Sequence, residues 1–315
     1  FFFKQKTAYE IVMGLEFRRV LFRSLLEGAK AEGEVVLYSS SPPDDNKAII
    51  EPFQAKYGIP VKLWRASSED ILTRAVSEAK AGRPQVDIFL NTGMGLEPLH
   101  REGQLQPVKS PHVKDLMPEA LPAHGEWVGF YLAPIVQAYN TNLVKKEDLP
   151  KDWPDLLNPR WQGKMAVEAA DFDWFMLLVE RMGRDKGLAL MREIAQKQKV
   201  QVRRGHSLLL NLVVAGEVPL GLTVYQFTAE QLKKNGAPID WFTMGPSIAG
   251  QLGAGIPRAP RHPHAAMLLY DFFFSHGLDI MEKRNFVTAR NSSVKGASFP
   301  IQAQVASYEI GRAHV

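Results

Sequence analysis

From Gly33 onward, short apolar runs alternate with stretches in which apolar residues recur every three or four positions. Residues 34–38 (EVVLY) form an apolar run of strand length, closed by Ser39-Ser40-Ser41-Pro42-Pro43. Ile49, Ile50 and Phe53 then share one helical face, with Asp44 or Asp45 placed to cap it and Gly58 and Pro60 to end it. Residues 61–64 predict a second strand. Ser67 or Ser68 opens a helix carrying Ile71, Leu72, Ala75 and Val76, and residues 86–90 (VDIFL) predict a third strand. This strand–helix rhythm implies a parallel sheet, because parallel neighbours need a long crossover rather than a tight turn.

The middle of the chain repeats the rhythm. Residues 127–140 (WVGFYLAPIVQAYN) predict one or two extended segments interrupted by Pro134. Beyond them the pattern predicts a strand at 165–169, helices at 171–182 and 186–197, a short strand at 200–202 and a helix at 207–215. A strand at 218–224 ending at Tyr225, a helix at 228–235 and a strand at 239–244 follow. The glycine-rich 250–256 predicts a strand or turn, and helices are expected at 263–275 and about 277–284. No internal repeat interrupts this order.

Open parallel sheets bind ligands beyond the carboxyl ends of their strands. In the first half those ends are Ser39, Ser40 and Ser41, then Arg65 to Ser68, then Asn91 to Gly93. All are small, polar or charged, as the rim of a binding cleft requires, and each alone also fits an ordinary turn with helix-cap chemistry. In the second half Asp171 and Asp173 flank the start of a predicted helix, and Tyr225 closes a strand. His206 is expected on the surface at a helix start, and His100, His112, His124 and His276 show no metal-ligand spacing.

Composition narrows the classes. The chain has 315 residues, 45% hydrophobic and 23% charged, enough for one large or two medium domains. The net charge of +4 is carried mostly by the first 24 residues, where Lys4, Lys6, Arg18, Arg19 and Arg23 stand against Glu10 and Glu16. The remainder is nearly neutral and gives no case for nucleic acid or an anionic membrane. Residues 1–24 (FFFKQKTAYEIVMGLEFRRVLFRS) and 309–315 (EIGRAHV) resemble translated sequencing-adapter read-through, so neither is expected in the fold, and a native signal peptide is expected to be missing. There is no cysteine, hence no disulfide, thiolate metal site or cysteine nucleophile. No nucleophile elbow, phosphate loop or zinc-protease motif occurs, which argues against an enzyme.

Several segments, in order, resemble bacterial extracellular solute-binding proteins of the iron-type branch. They are VVLYSS at 35–40, FQAKYGIPVKLWRASSEDILTR at 53–74, VDIFL at 86–90, EGQLQPVKSP at 102–111, YNTNLV at 139–144, DWPDLLNPRWQGKMAV at 152–167, VAGEVPLGLTVYQFTAEQLKKNGAPIDW at 214–241 and PRHPHAAMLLYDFFFS at 260–275. The resemblance implies an α/β, two-lobed type II periplasmic binding fold with a hinge, one lobe from residues 33–128 plus 250–300 and the other from 129–249. It implies a monomeric periplasmic receptor that captures a small solute between its lobes and delivers it to the permease of an ABC importer, with no cofactor. An effector-sensing domain of a regulator or receptor shares this fold and is the alternative.

Iron-carrying members of that family use a histidine after the first strand, a glutamate past the third and a tyrosine pair after the strand at 218–224. Here Pro42, Thr92 and a lone Tyr225, followed by Gln226 and Phe227, stand at those places. The expected solute is therefore organic or organophosphorus rather than bare ferric iron, although iron as a chelate remains compatible, and no metal ligand set is assigned. The resemblance places Ser39, Ser40, Ser41, Arg65, Asn91, Thr92, Asp171 and Tyr225 around it. The two acids at Asp171 and Asp173 repel an anion and suit a cation; Arg65, Arg203 and Arg204 suit a carboxylate or phosphate.

Overall fold

A computed structural model describes residues 22–303. The readings made for residues 1–21 and 309–315 lie outside them; Phe22, Arg23 and Ser24 open a helix, α1, over 22–32. The chain then runs β1 (Val35–Ser39), α2 (Pro43–Tyr57), β2 (Val61–Arg65), α3 (Ser68–Lys80), β3 (Ile88–Thr92), α4 (Gly93–Arg101) and β4 (Leu105–Gln106). Next come β5 (Trp127–Asn140), β6 (Met165–Glu168), α5 (Phe172–Met182), α6 (Arg184–Gln198), β7 (Gln201–Arg203), α7 (His206–Ala215), β8 (Leu220–Tyr225), α8 (Gln226–Lys234) and β9 (Ile239–Phe242). It closes with β10 (Ser247–Pro257), α9 (Pro263–Phe272), α10 (Leu278–Lys283), α11 (Asn291–Lys295) and β11 (Ile301–Ala303).

The chain forms two compact units. Among the described residues, unit 1 holds residues 22–115, 121–130 and 253–280, and unit 2 holds 116–120, 131–252 and 281–303. The boundaries fall inside β5 and β10, so each of those strands starts in one unit and ends in the other.

In unit 1, β1 pairs in parallel with β2 (Ser39 opposite Arg65) and with β3 (Ser39 opposite Leu90). The three strands therefore end side by side. Helix α2 does not begin on an aspartate cap: Pro42 takes the cap position with no side-chain bond, and Asp44 and Asp45 fall in the first turn. Proline at N1 suits a first turn whose N–H has no partner in any case. Ser67 does cap α3, its Oγ accepting from Asp70 N at 3.1 Å. Helix α4 was hidden by Gly93, Gly95 and Pro98.

Helix α9 starts at Pro263 beneath two carboxylates. Asp87, fully buried, accepts from His262 N at 2.9 Å, His262 Nδ1 at 2.7 Å and Val36 N at 2.8 Å. Glu32 of α1 accepts from His264 N at 3.1 Å and Ala265 N at 2.8 Å. These amides have no intrahelical partner, and distant acids take the place of a local cap.

In unit 2, β6 pairs in parallel with β7 (Glu168 opposite Arg203) and with β8 (Met165 opposite Leu220). The expected break at Pro134 does not occur; β5 is one strand of 14 residues. Leu132 N bonds Val287 O at 2.8 Å, and from Ile135 onward β5 pairs with β8. Pro134 thus sits where the strand changes partners, and its missing N–H interrupts neither ladder. The Gly-rich 250–256 likewise belongs to a full strand, β10, of 11 residues. A core of Trp153, Trp161, Trp174, Leu178, Leu220 and Ile248 holds this unit together.

Candidate functional site

In unit 1 the three strand ends form two linked groups. Ser39 Oγ donates to Asn46 Oδ1 at 2.7 Å and accepts from Ser41 N at 3.1 Å, while Asn46 Nδ2 bonds Ser41 O at 2.9 Å. Arg65 Nε reaches that same carbonyl at 3.3 Å. Ser39 and Ser41 are buried and shape the loop, Arg65 is exposed, and the buried Ser40 Oγ has no hydrogen-bond partner.

The second group joins β3 to α3. Thr92 Oγ1 lies 2.5 Å from Ser68 Oγ and accepts from Gly95 N at 3.3 Å, capping α4. Asn91 is fully buried; its Oδ1 accepts from Thr92 N at 2.9 Å and its Nδ2 bonds Ser68 O at 3.3 Å. Gly95 makes room for this: a Cβ there would lie 2.2 Å from Asn91 Nδ2 and 2.7 Å from Ser68 Oγ. The starts of α2, α3 and α4 carry positive dipole ends, those of α3 and α4 capped by Ser67 and Thr92 and that of α2 without a side-chain cap.

In unit 2 the strand ends build an acidic and imidazole cluster. Glu168 is the last residue of β6 and only 6% exposed. Its two carboxylate oxygens accept from Ala170 N at 2.5 Å and Gly205 N at 2.8 Å, and its own N donates to Thr223 Oγ1 at 2.8 Å. Gly205 has φ +99°, a backbone region closed to most L-residues, which turns its N–H onto Glu168. Asp171 precedes α5 but makes no cap bond; its Oδ1 lies 3.2 Å from His206 Nε2, and its buried Oδ2 has no hydrogen-bond partner. Tyr225, ending β8, packs its ring 3.9 Å from that of His206 and 5.4 Å from Phe227.

His206 therefore corrects the expectation of a surface residue: its side chain is 17% exposed. Burial works against an imidazolium there, but the hydrogen bond and charge of Asp171, with the charge of Glu168, outweigh it and hold its pKa above the usual histidine value. Arg203, a candidate anion receptor, bonds Val202 O at 3.1 Å and Gln201. Tyr131 and Trp174 are core residues, while Phe172 is 68% exposed.

The eight expected site residues thus fall into three groups, Ser39–Ser41 with Arg65, Asn91 with Thr92, and Asp171 with Tyr225 through His206. Glu168 and His206 were missed. The available signal was an acid ending an apolar strand (MAVE) and a Gly-His pair opening a helix after a strand. No helix among the described residues is long and apolar enough to cross a membrane.

The sequence model of one family, described as "Bacterial extracellular solute-binding protein", matches residues 84–305. An Fe(3+)-binding periplasmic protein of Serratia marcescens is 25% identical over 205 residues, 64% of this chain and 60% of that protein. A probable ABC transporter periplasmic-binding protein of Sinorhizobium fredii is 31% identical over 136 residues, 42% of this chain and 37% of that protein. The chain thus spans less than two thirds of either relative's length. Among solved structures, iron-bound HitA from Pseudomonas aeruginosa superposes with a TM-score of 0.71 at 20% identity, covering 82% of this chain and 87% of that one. AfuA from Actinobacillus pleuropneumoniae, with fructose-6-phosphate bound, gives 0.71 at 18% identity, covering 87% and 88%. At these identities the structural likeness speaks for the fold, which is that of the periplasmic binding proteins.

Proposed function

The chain belongs to the bacterial extracellular solute-binding protein family, and we propose that it is the periplasmic solute-capturing component of an ABC importer. It binds a small solute and presents the loaded form to a permease. Its role is binding rather than catalysis, and it acts as a monomer without a cofactor. The matched relatives of this family are named as periplasmic binding proteins, one of an ABC transporter and one for Fe(3+). The observation that carries the reading is that each unit ends three parallel strands together on polar side chains at helix starts, where open parallel sheets receive ligands.

The solute we propose is organic or organophosphorus, with an acidic group received by Arg65 and the helix starts beside Ser39–Ser41, Asn91 and Thr92. In unit 2, Asp171 and Tyr225 are the proposed solute-binding residues. Ferric iron held directly by tyrosinates is a poor fit, because Tyr225 is followed by Gln226 and Phe227 and its ring is packed between His206 and Phe227.

A thermal-shift screen tests this, since a ligand that binds only the folded state raises its melting temperature. Sugar phosphates, phosphonates, organic acids and amines form the panel. A hit should bind at 1:1 by calorimetry, and Arg65→Ala and Asp171→Asn should each weaken it at least tenfold. No hit, or a hit indifferent to both variants, overturns the reading.

A further inference from the structure

We propose that unit 2 carries a divalent transition-metal site made by His206 Nε2 and the carboxylates of Asp171 and Glu168. One ligand atom from each lies within 4.8 Å of the others. The Asp171–His206 separation of 3.2 Å is already close to the ~3.4 Å between two donors on a tetrahedral ion with bonds near 2.1 Å. The donors come from three places in the chain, the end of β6, the residue before α5 and the first residue of α7.

Each donor is oriented from behind. His206 Nδ1 faces the Thr223 carbonyl at 3.4 Å, which puts the proton of a neutral ring on Nδ1 and the lone pair on Nε2, toward Asp171. Outer partners of this kind fix metal-binding histidines. Glu168 is held by the amides of Ala170 and Gly205, and each carboxylate oxygen keeps a second lone pair. Asp171 Oδ2 is the independent sign of a ligand: it is buried and has no hydrogen-bond partner, a costly state for a carboxylate oxygen that a bound cation relieves.

One imidazole and two carboxylates favour Zn²⁺, Mn²⁺ or Fe²⁺ over ions that prefer all-oxygen cages or thiolates. Three protein donors leave a position open. Resting on the solute-binding reading for this part only, that position takes an oxygen of the solute. A second cluster, Glu97, His100 and His124 in unit 1, has its donors equally close but fails on geometry. Its imidazole rings stack 3.7 Å apart at 14°, so no ion lies in both ring planes, and Glu126 N donates to His124 Nδ1, leaving the ring proton on Nε2.

The test is titration of the chelator-treated protein with Co²⁺, then Zn²⁺, with no solute present. One Co²⁺ per chain should bind with visible d–d bands that Zn²⁺ abolishes. His206→Gln and Asp171→Asn should each weaken binding at least tenfold, while His124→Gln leaves affinity and stoichiometry unchanged. Thermal melts of each variant confirm that it is folded. Absence of the bands in the wild type, their survival in both folded unit 2 variants, or their loss in His124→Gln overturns the site. Repeating the solute screen with and without Zn²⁺ separates the two readings. Metal binding without any solute supports the site and counts against the transport role; solute binding without metal binding does the reverse.

Discussion

Asp171 stands where an N-cap belongs, yet its carboxylate pairs with His206 Nε2 at 3.2 Å instead of bonding the first amides of α5. Its backbone, at φ −76° and ψ 48°, is not the extended conformation from which caps reach those amides. Loss of the side chain in Asp171→Ala should cost about 1–3 kcal/mol by urea unfolding, from the buried partner left behind. Asp171→Ser, a good cap residue by type, should recover none of it; recovery to the wild-type midpoint would show that capping was the role.

Asp87 serves three donors from a fully buried position. Asp87→Ala should destabilise by about 1–3 kcal/mol, the range for leaving a buried donor without its acceptor. Asp87→Asn, which keeps an acceptor, should cost less. Equal midpoints for the two variants in denaturant would contradict this account.

Glu32 governs a pH response. Burial pushes its pKa up, but the Ala265 and His264 amides and the His264 side chain prefer the carboxylate, and the net pKa lies below the usual glutamate value. A depressed acid stabilises the fold above its unfolded pKa, and that contribution is lost as pH falls through the lower folded value. Unfolding midpoints from pH 7 to pH 3 should therefore fall more steeply for the wild type than for Glu32→Gln. Parallel curves would remove Glu32 from the acid response.

Gly95→Ala should displace Asn91, since the new Cβ would meet Asn91 Nδ2 and Ser68 Oγ at less than contact distance. Overpacking of this kind costs about 1–3 kcal/mol. The same variant should weaken solute binding, because Asn91 and Thr92 move with the loop. Unchanged stability and unchanged binding would mean that the loop absorbs a methyl group freely.

Ferric citrate offers a spectroscopic check. With a lone Tyr225 packed against His206, no tyrosinate-to-iron charge-transfer band is expected in the wild type. A band that disappears in Tyr225→Phe would place iron on the phenolate.

The α/β order was legible because apolar runs and helical spacing change over sharply at Gly58, Gly82 and similar breakers. Residues that play two roles were harder. Gly95 and Pro98 look like breakers but lie inside α4, and Pro134 looks like an interruption but marks a change of partner strand. Strand ends pointed to Asp171 and Tyr225. His206 is 35 positions beyond Asp171, and their meeting becomes visible only when β6 and β7 lie side by side. Asp171 also fits the composition of a cap, and only its dihedral angles reveal that it is not one.

Glu168 gives this half of the protein a tethered competitor. The amides of Ala170 and Gly205, which face the start of two helices, are the kind of donors that bind free phosphate or sulfate. A carboxylate on the same chain occupies them at the high effective concentration of an intramolecular partner. A free anion would have to displace that carboxylate to reach either amide, so the same two hydrogen bonds that order the loop also set a cost on anion entry.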